Sequence, residues 1–291
     1  MSPRFRTWDD YYYPGTNVLL NVAGHLDAED LREFEEEYAL LRVSQALGAE
    51  SITGRLDRAH MCAIHRHIFG DVYAWAGKER TAPSLPERMT KKGPTPQDIR
   101  DGRYDAEASH PYFYFPAGEG MTLHFDQSIR TLHQIAGLRE MTGSEFASAI
   151  AEPWGEINVA HLFREGNTRT QVVFFTYFAQ AHGHTVDSGR FSRDPGFRLK
   201  FNAGRFMVQA TLDATLLAEA LAEVIDVEPS VEGDGESLEP TTDVPVYYQP
   251  HYVSLGDVCD APTATGKPCQ RRGRCPHHGA RIETNEARPR S

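Results

Sequence analysis

Long apolar runs are missing from this chain, and with them any segment able to cross a bilayer as a helix. The first residues also lack the apolar core of a secretory signal. A cytoplasmic protein without a membrane partner is therefore expected, with secretion by a route that needs no cleaved signal left open. Cysteine is scarce: of four, only Cys62 falls before residue 259. That excludes a disulfide framework for the main body and leaves Cys62 as a small core residue. An excess of positive charge is missing too. The formal net charge of −11 excludes non-specific nucleic-acid binding by the chain as a whole, because the phosphate backbone would repel it. Strand signal is weak, and no internal repeat is apparent.

What is present is a 40% apolar fraction, enough for a core, in 291 residues, a length that suits one medium domain with an appendage, or two domains. Asp27 can cap a helix with Leu31, Phe34, Tyr38 and Leu41 on one face, which leaves Glu35, Glu36 and Glu37 on a solvated side. Asp57 opens a second helix through Met61, Ile64 and Ile68 to Gly70, with His65 and His67 facing outward. Residues 82–120 hold much Pro, Gly and charge without a sustained period, as a functional or mobile loop would. Helical pattern returns over 123–138, and Thr142 with Glu145 makes a capping-box signature for the next helix, in which Pro153 predicts a kink or break. A buried helix over 170–181 is closed by Gly183, residues 184–203 read as irregular, and a last helix covers about 205–225. Only 80–85 and 112–115 offer strand signal. The expected fold class is all-α with at most one short hairpin.

Residues 161–169, HLFREGNTR, gather an imidazole, a carboxylate, a Gly-Asn turn and a guanidinium just before the buried helix. A loop that opens a helix presents unpaired N–H groups and the positive end of the helix dipole, a place for phosphate. Neutral His161 suits removal of a proton from a hydroxyl near pH 7. Glu165 is a hard oxygen ligand for Mg²⁺, which binds through one or two carboxylates plus the phosphates of its substrate. Gly166 lets backbone approach a phosphate, Asn167 supplies an amide donor, and Arg169 can grip phosphate oxygens in a bidentate way.

This stretch resembles the signature of the Fic family (Fic/Doc), H-x-F-x-[D/E]-G-N-G-R-x-x-R, at His161, Phe163, Glu165, Gly166, Asn167 and Arg169. YPGT at 13–16, AIHRHIF at 63–69 and YAWAGKERT at 73–81 extend the likeness over about residues 8–225. The resemblance implies a mainly helical Fic-like bundle with a short β-hairpin flap. It also implies His161 as general base, Glu165 as the Mg²⁺ ligand, and Gly166, Asn167, Thr168 and Arg169 as the cradle for ATP, with Phe163 holding the loop from the core. The implied activity is transfer of AMP from Mg·ATP to a Ser, Thr or Tyr hydroxyl of a target protein, in a toxin or effector that a small antitoxin protein could restrain. The flap would follow Trp75-Ala76-Gly77, with 80–81 and 112–114 as its two sides and Lys91 and Lys92 in an insertion between them.

Two positions depart from the signature. Thr168 stands where the family has Gly, and Val172 where it has a second Arg that contacts the γ-phosphate and pairs with an inhibitory Glu. Doc toxins also carry a side chain at the first position, there a lysine, and are associated with phosphate transfer, so a Doc-like phosphotransferase is the alternative enzyme. A degenerate scaffold that only binds nucleotide or a partner is the non-enzyme alternative. The nearest match to the family's inhibitory helix, Thr215-x-x-x-Glu219, is followed by Ala220 and reads as coincidence on an amphipathic helix.

The expected division of the chain is a Fic-like domain over 1–225, an acidic flexible linker over 226–250, a module over 251–279 and a disordered tail over 280–291. Cys259, Cys269, Cys275 and His278 offer a tetrahedral zinc complement to that module, with His277 as a substitute ligand. The nearby arginines make the basic tail the one place where nucleic acid could bind.

Overall fold

Asp27 accepts hydrogen bonds from Glu29 N and Asp30 N and so starts α1 (Ala28–Leu47), while Asp57 caps α2 (Arg58–Phe69) through His60 N. In the computed structural model, which describes residues 5–48 and 51–227, the chain continues through β1 (Thr90–Gly93), α3 (Pro96–Arg100), β2 (His110–Phe113) and α4 (Glu119–Gln134). Then come α5 (Gly143–Ala160), α6 (Asn167–Ala181), α7 (Arg190–Arg193), α8 (Pro195–Thr211) and α9 (Thr215–Ala222).

The centre is α6, in which every residue from Thr170 to Ala179 is buried. A helix enclosed on all sides must satisfy its polar groups internally. Thr170 and Thr176 donate to the carbonyls of Gly166 and Val172, and Gln171 Oε1 accepts from Trp154 Nε1 at 3.3 Å. Around it pack α1, α2 and α5, with Trp154 stacked on Phe175 at 4.0 Å. Next, α4 lies on α5 and α2, and α8 and α9 cover the remaining side of α5. Close approach of α5 to α8 needs Gly155, where a Cβ would sit 2.5 Å from Val208.

Mainly helical architecture with one two-stranded hairpin matches the expectation, and the Thr142–Glu145 capping box is present. Several local readings need correction. The strands are 90–93 and 110–113, Lys91 facing Tyr112, and not 80–85. Segment 80–85 turns the Arg80 side chain into the protein, and Pro83 lacks the N–H a ladder requires. No break occurs at Pro153, which is buried within a continuous α5. Residues 195–203 are helical, capped by Asp194 on Phe197 N, and the final helical stretch is two helices split at Leu212, whose φ is 61°. His65 is fully buried, and Glu35 is drawn inward to Tyr73 and Arg169. No described helix is long and apolar enough to cross a membrane. Cys259, Cys269, Cys275 and His278, with the linker and tail, lie outside the described residues.

Candidate active site

The loop between α5 and α6 is built from its backbone outward. His161 ends α5 in a left-handed conformation, φ 51°, which turns the chain back toward α6. Asn167 closes that turn: its Oδ1 accepts from Phe163 N at 2.9 Å, and its Nδ2 donates to Phe163 O at 2.7 Å. Gly166 has φ 80°, and a Cβ there would lie 2.2 Å from the Phe69 ring, so conformation and space both require glycine.

Two buried side chains support this loop from behind. His65 of α2 reaches the Glu165 carbonyl through Nε2 at 3.0 Å and accepts Gly77 N–H on Nδ1 at 2.8 Å, while its ring stacks on Phe163 at 3.9 Å. Burial pushes its pKa down to about 3 against the pull of the Glu165 carbonyl, so it is a neutral ring with the proton on Nε2. Arg80, 2% exposed, donates from Nε to His161 O at 2.7 Å and from Nη2 to the carbonyls of Phe115 and Ala160. One guanidinium thus joins the end of α5, the His161 turn and the segment leaving β2.

The His161 imidazole is enclosed, 2% exposed, beneath the Tyr114 ring at 4.3 Å. Its Nδ1 faces the Asn158 carbonyl at 3.3 Å, which favours the tautomer with a bare Nε2. Burial first, then the charges of Lys91, Arg80 and Arg205, hold its pKa well below the usual histidine value. The ring is therefore a free base at neutral pH. Lys91 of β1 reaches over Tyr114, 5.8 Å from the ring centroid.

Around the start of α6 the structure gathers cations. Arg164 is buried against Trp8 at 3.8 Å and bonded to the Tyr12 hydroxyl. Arg169 lies over the Phe69 ring at 4.7 Å and pairs with Glu35. Arg205 comes from α8 to Thr168 and Asn158, at 3.0 and 3.1 Å from Nη1. Such a field recruits an anion. Glu165 itself accepts Gly166 N–H on Oε1 at 3.0 Å, which aims the carboxylate and leaves its second oxygen for a ligand. No cluster of three His, Cys, Asp or Glu suited to a metal ion occurs among the described residues. A single carboxylate fits Mg²⁺, whose other ligands are waters and substrate phosphates.

The residues expected from the sequence are therefore brought together: His161, Glu165, Gly166, Asn167, Thr168 and Arg169 surround one helix N-terminus. The Asn167 amide is occupied by the Phe163 peptide and shapes the loop, while its backbone N–H stays in the first turn of α6. Glu35, Asn158 and Arg205 were not foreseen as parts of the site. Glu35 and Arg205 act across a long sequence separation, whereas Asn158 stands three residues before His161, and that proximity alone could have drawn attention to it.

Residues 55–179 match the Fic/DOC family. Among curated proteins the chain is 33% identical over 186 residues to the probable protein adenylyltransferase y4lH of Sinorhizobium fredii, covering 62% of this chain and 81% of that protein. It is 32% identical over 185 residues to the protein adenylyltransferase VbhT of Bartonella schoenbuchensis, across 64% of this chain and 34% of VbhT, so it spans about a third of that relative. In fold it resembles the BepC effector of Bartonella tribocorum, solved with AMPPNP bound, at a TM-score of 0.60 and 21% identity, over 76% of this chain and 98% of that one. With that family match, and with 33% identity to a relative covered over 81% of its length, this chain belongs to the Fic/DOC family.

Proposed function

We propose that this protein transfers AMP from Mg·ATP to a hydroxyl side chain of a target protein. The observation that carries this reading is the neutral His161 imidazole, its Nε2 bare, beside the N-terminus of α6. The target hydroxyl gives its proton to Nε2 while its oxygen forms a bond to the α-phosphorus, and the bond from that phosphorus to pyrophosphate breaks. N–H groups at the start of α6 and the surrounding cations stabilise charge on the phosphoryl oxygens. Glu165 would hold the Mg²⁺, which neutralises phosphate charge when bound. Because Tyr114 covers His161, docking of the target displaces the segment after β2, in keeping with a flap that presents its target by strand addition. The names of the relatives y4lH and VbhT support adenylylation over phosphate transfer. A toxin or effector role, restrained by a separate small protein, is the setting proposed for the activity.

Incubation of target-containing lysate with ATP labelled at the α or the γ phosphate tests this directly. Wild type is expected to transfer α label only, and His161→Ala to lose on the order of 100-fold or more in rate. Transfer of γ label alone would establish the Doc-like phosphotransferase, and no transfer from either would leave a nucleotide-binding scaffold.

A further inference from the structure

Four arginines lie at the candidate site, and one of them, Arg169, pairs with a carboxylate. Arg80 is spent on backbone carbonyls, Arg164 on Trp8 and Tyr12, and Arg169 on Glu35. Arg205 is 8% exposed, and its partners are all neutral: Asn158 Oδ1, Thr168 Oγ1 and Asn202 Oδ1, with the Phe201 ring 4.6 Å from its carbon centre. Its Nε is buried without a hydrogen-bond partner, as are Arg80 Nη1 and Arg164 Nε, and no carboxylate among the described residues forms an ion pair with it. A guanidinium held out of water with no counter-ion is costly, and an anion binding beside it would offset that cost.

Its position says which anion. Nη1 contacts Thr168, in the first turn of α6, where N–H groups and the helix dipole favour phosphate. Thr168 accepts the arginine's hydrogen with its hydroxyl oxygen and keeps its own proton to donate. Val172 lies one turn later on the same face and contributes no charge, so the cation for that face arrives from another helix.

We propose that Arg205 is a phosphate-binding residue of this site, its guanidinium delivered from α8 and aimed by Thr168 and Asn158 at a nucleotide phosphoryl group. The assignment deepens the reading of the site as an ATP site and rests on it. The departures at 168 and 172 then belong together: the side chain at 168 holds the cation that 172 does not supply.

Calorimetric titration of wild type, Arg205→Met and Arg205→Lys with Mg·ATP and with adenosine tests the assignment, with melting curves for all three proteins. Arg205→Met is expected to raise the Kd for ATP on the order of 30-fold, while the Kd for adenosine stays within about twofold. Arg205→Lys, which keeps the charge and loses the fork, should weaken ATP by roughly 5- to 10-fold and serves if the Met variant fails to fold. Equal losses for ATP and adenosine would make Arg205 a structural residue and overturn the proposal, as would an Arg205→Lys protein that binds ATP as wild type does. A wild-type protein that binds neither ligand would overturn the ATP-site reading itself, and this assignment with it.

Discussion

Arg80 shows how a single side chain can set the geometry of a base it never meets through its ring. It holds the carbonyl of His161, not the imidazole, and it also holds Ala160 and Phe115. Burial drops its pKa to about 10, which still leaves it charged at neutral pH. Arg80→Met would leave these carbonyls without donors inside the protein, a change expected to cost about 3–5 kcal/mol in urea unfolding. If the loss stays below about 1 kcal/mol, the clamp is not what fixes the turn. At this scale His161, Glu165 and Gly166 could be read from the sequence because they are local and contiguous. Glu35 could not. Helical spacing put it among three consecutive glutamates, and nothing nearby in the chain says that Arg169 and Tyr73 would draw in that one alone.

Among the elements, helix starts were the most readable features, because a cap is a short-range bond: Asp27, Asp57 and the Thr142–Glu145 box all work as their residue types suggest. Asp194-Pro195 carries the same kind of signal for α8, a cap and a first-turn proline that hydrophobic periodicity does not register. The hairpin was harder to place, since its stability comes from a partner distant in sequence. Tyr112 stacks on Phe206 of α8 at 4.1 Å and donates to Pro94 O at 2.6 Å, and Gly93 presses against the same Phe206 ring. A Cβ at residue 93 would fall 2.5 Å from that ring, so Gly93→Val should lever the hairpin off α8. Target modification is then expected to fall about 10-fold or more through KM, with the Kd for ATP within about twofold of wild type. Equal loss of nucleotide binding would mean that the hairpin serves the ATP site and not the target.

For the whole molecule, two buried neutral histidines link folding to pH. His65 and His161 are both held below their ordinary pKa, chiefly by burial. In the unfolded chain each titrates near 6.5, so below that value the unfolded state takes up protons that the folded state refuses. Their stabilising effect is therefore fully present above about pH 6.5 and is lost as pH falls, for His65 all the way toward 3. Protonation of His65 would also place an Nδ1–H against Gly77 N–H, two donors face to face. His184 works in the other direction: burial is the largest single effect and opposes its charge, but the bond to Asp226 at 2.6 Å, the bond to the Leu138 carbonyl and the Asp226 charge together outweigh it and raise the pKa, so it favours the fold at low pH. Comparing wild type with His65→Gln separates these contributions. Glutamine is neutral at every pH in the window, so the variant is expected to be less stable at pH 7.5 but to lose about 2 kcal/mol less than wild type between pH 7.5 and 5.0. Urea midpoints at the two pH values measure the difference. Parallel losses would show that His65 is charged in the folded protein, and its bond to the Glu165 carbonyl could then no longer be that of a neutral ring.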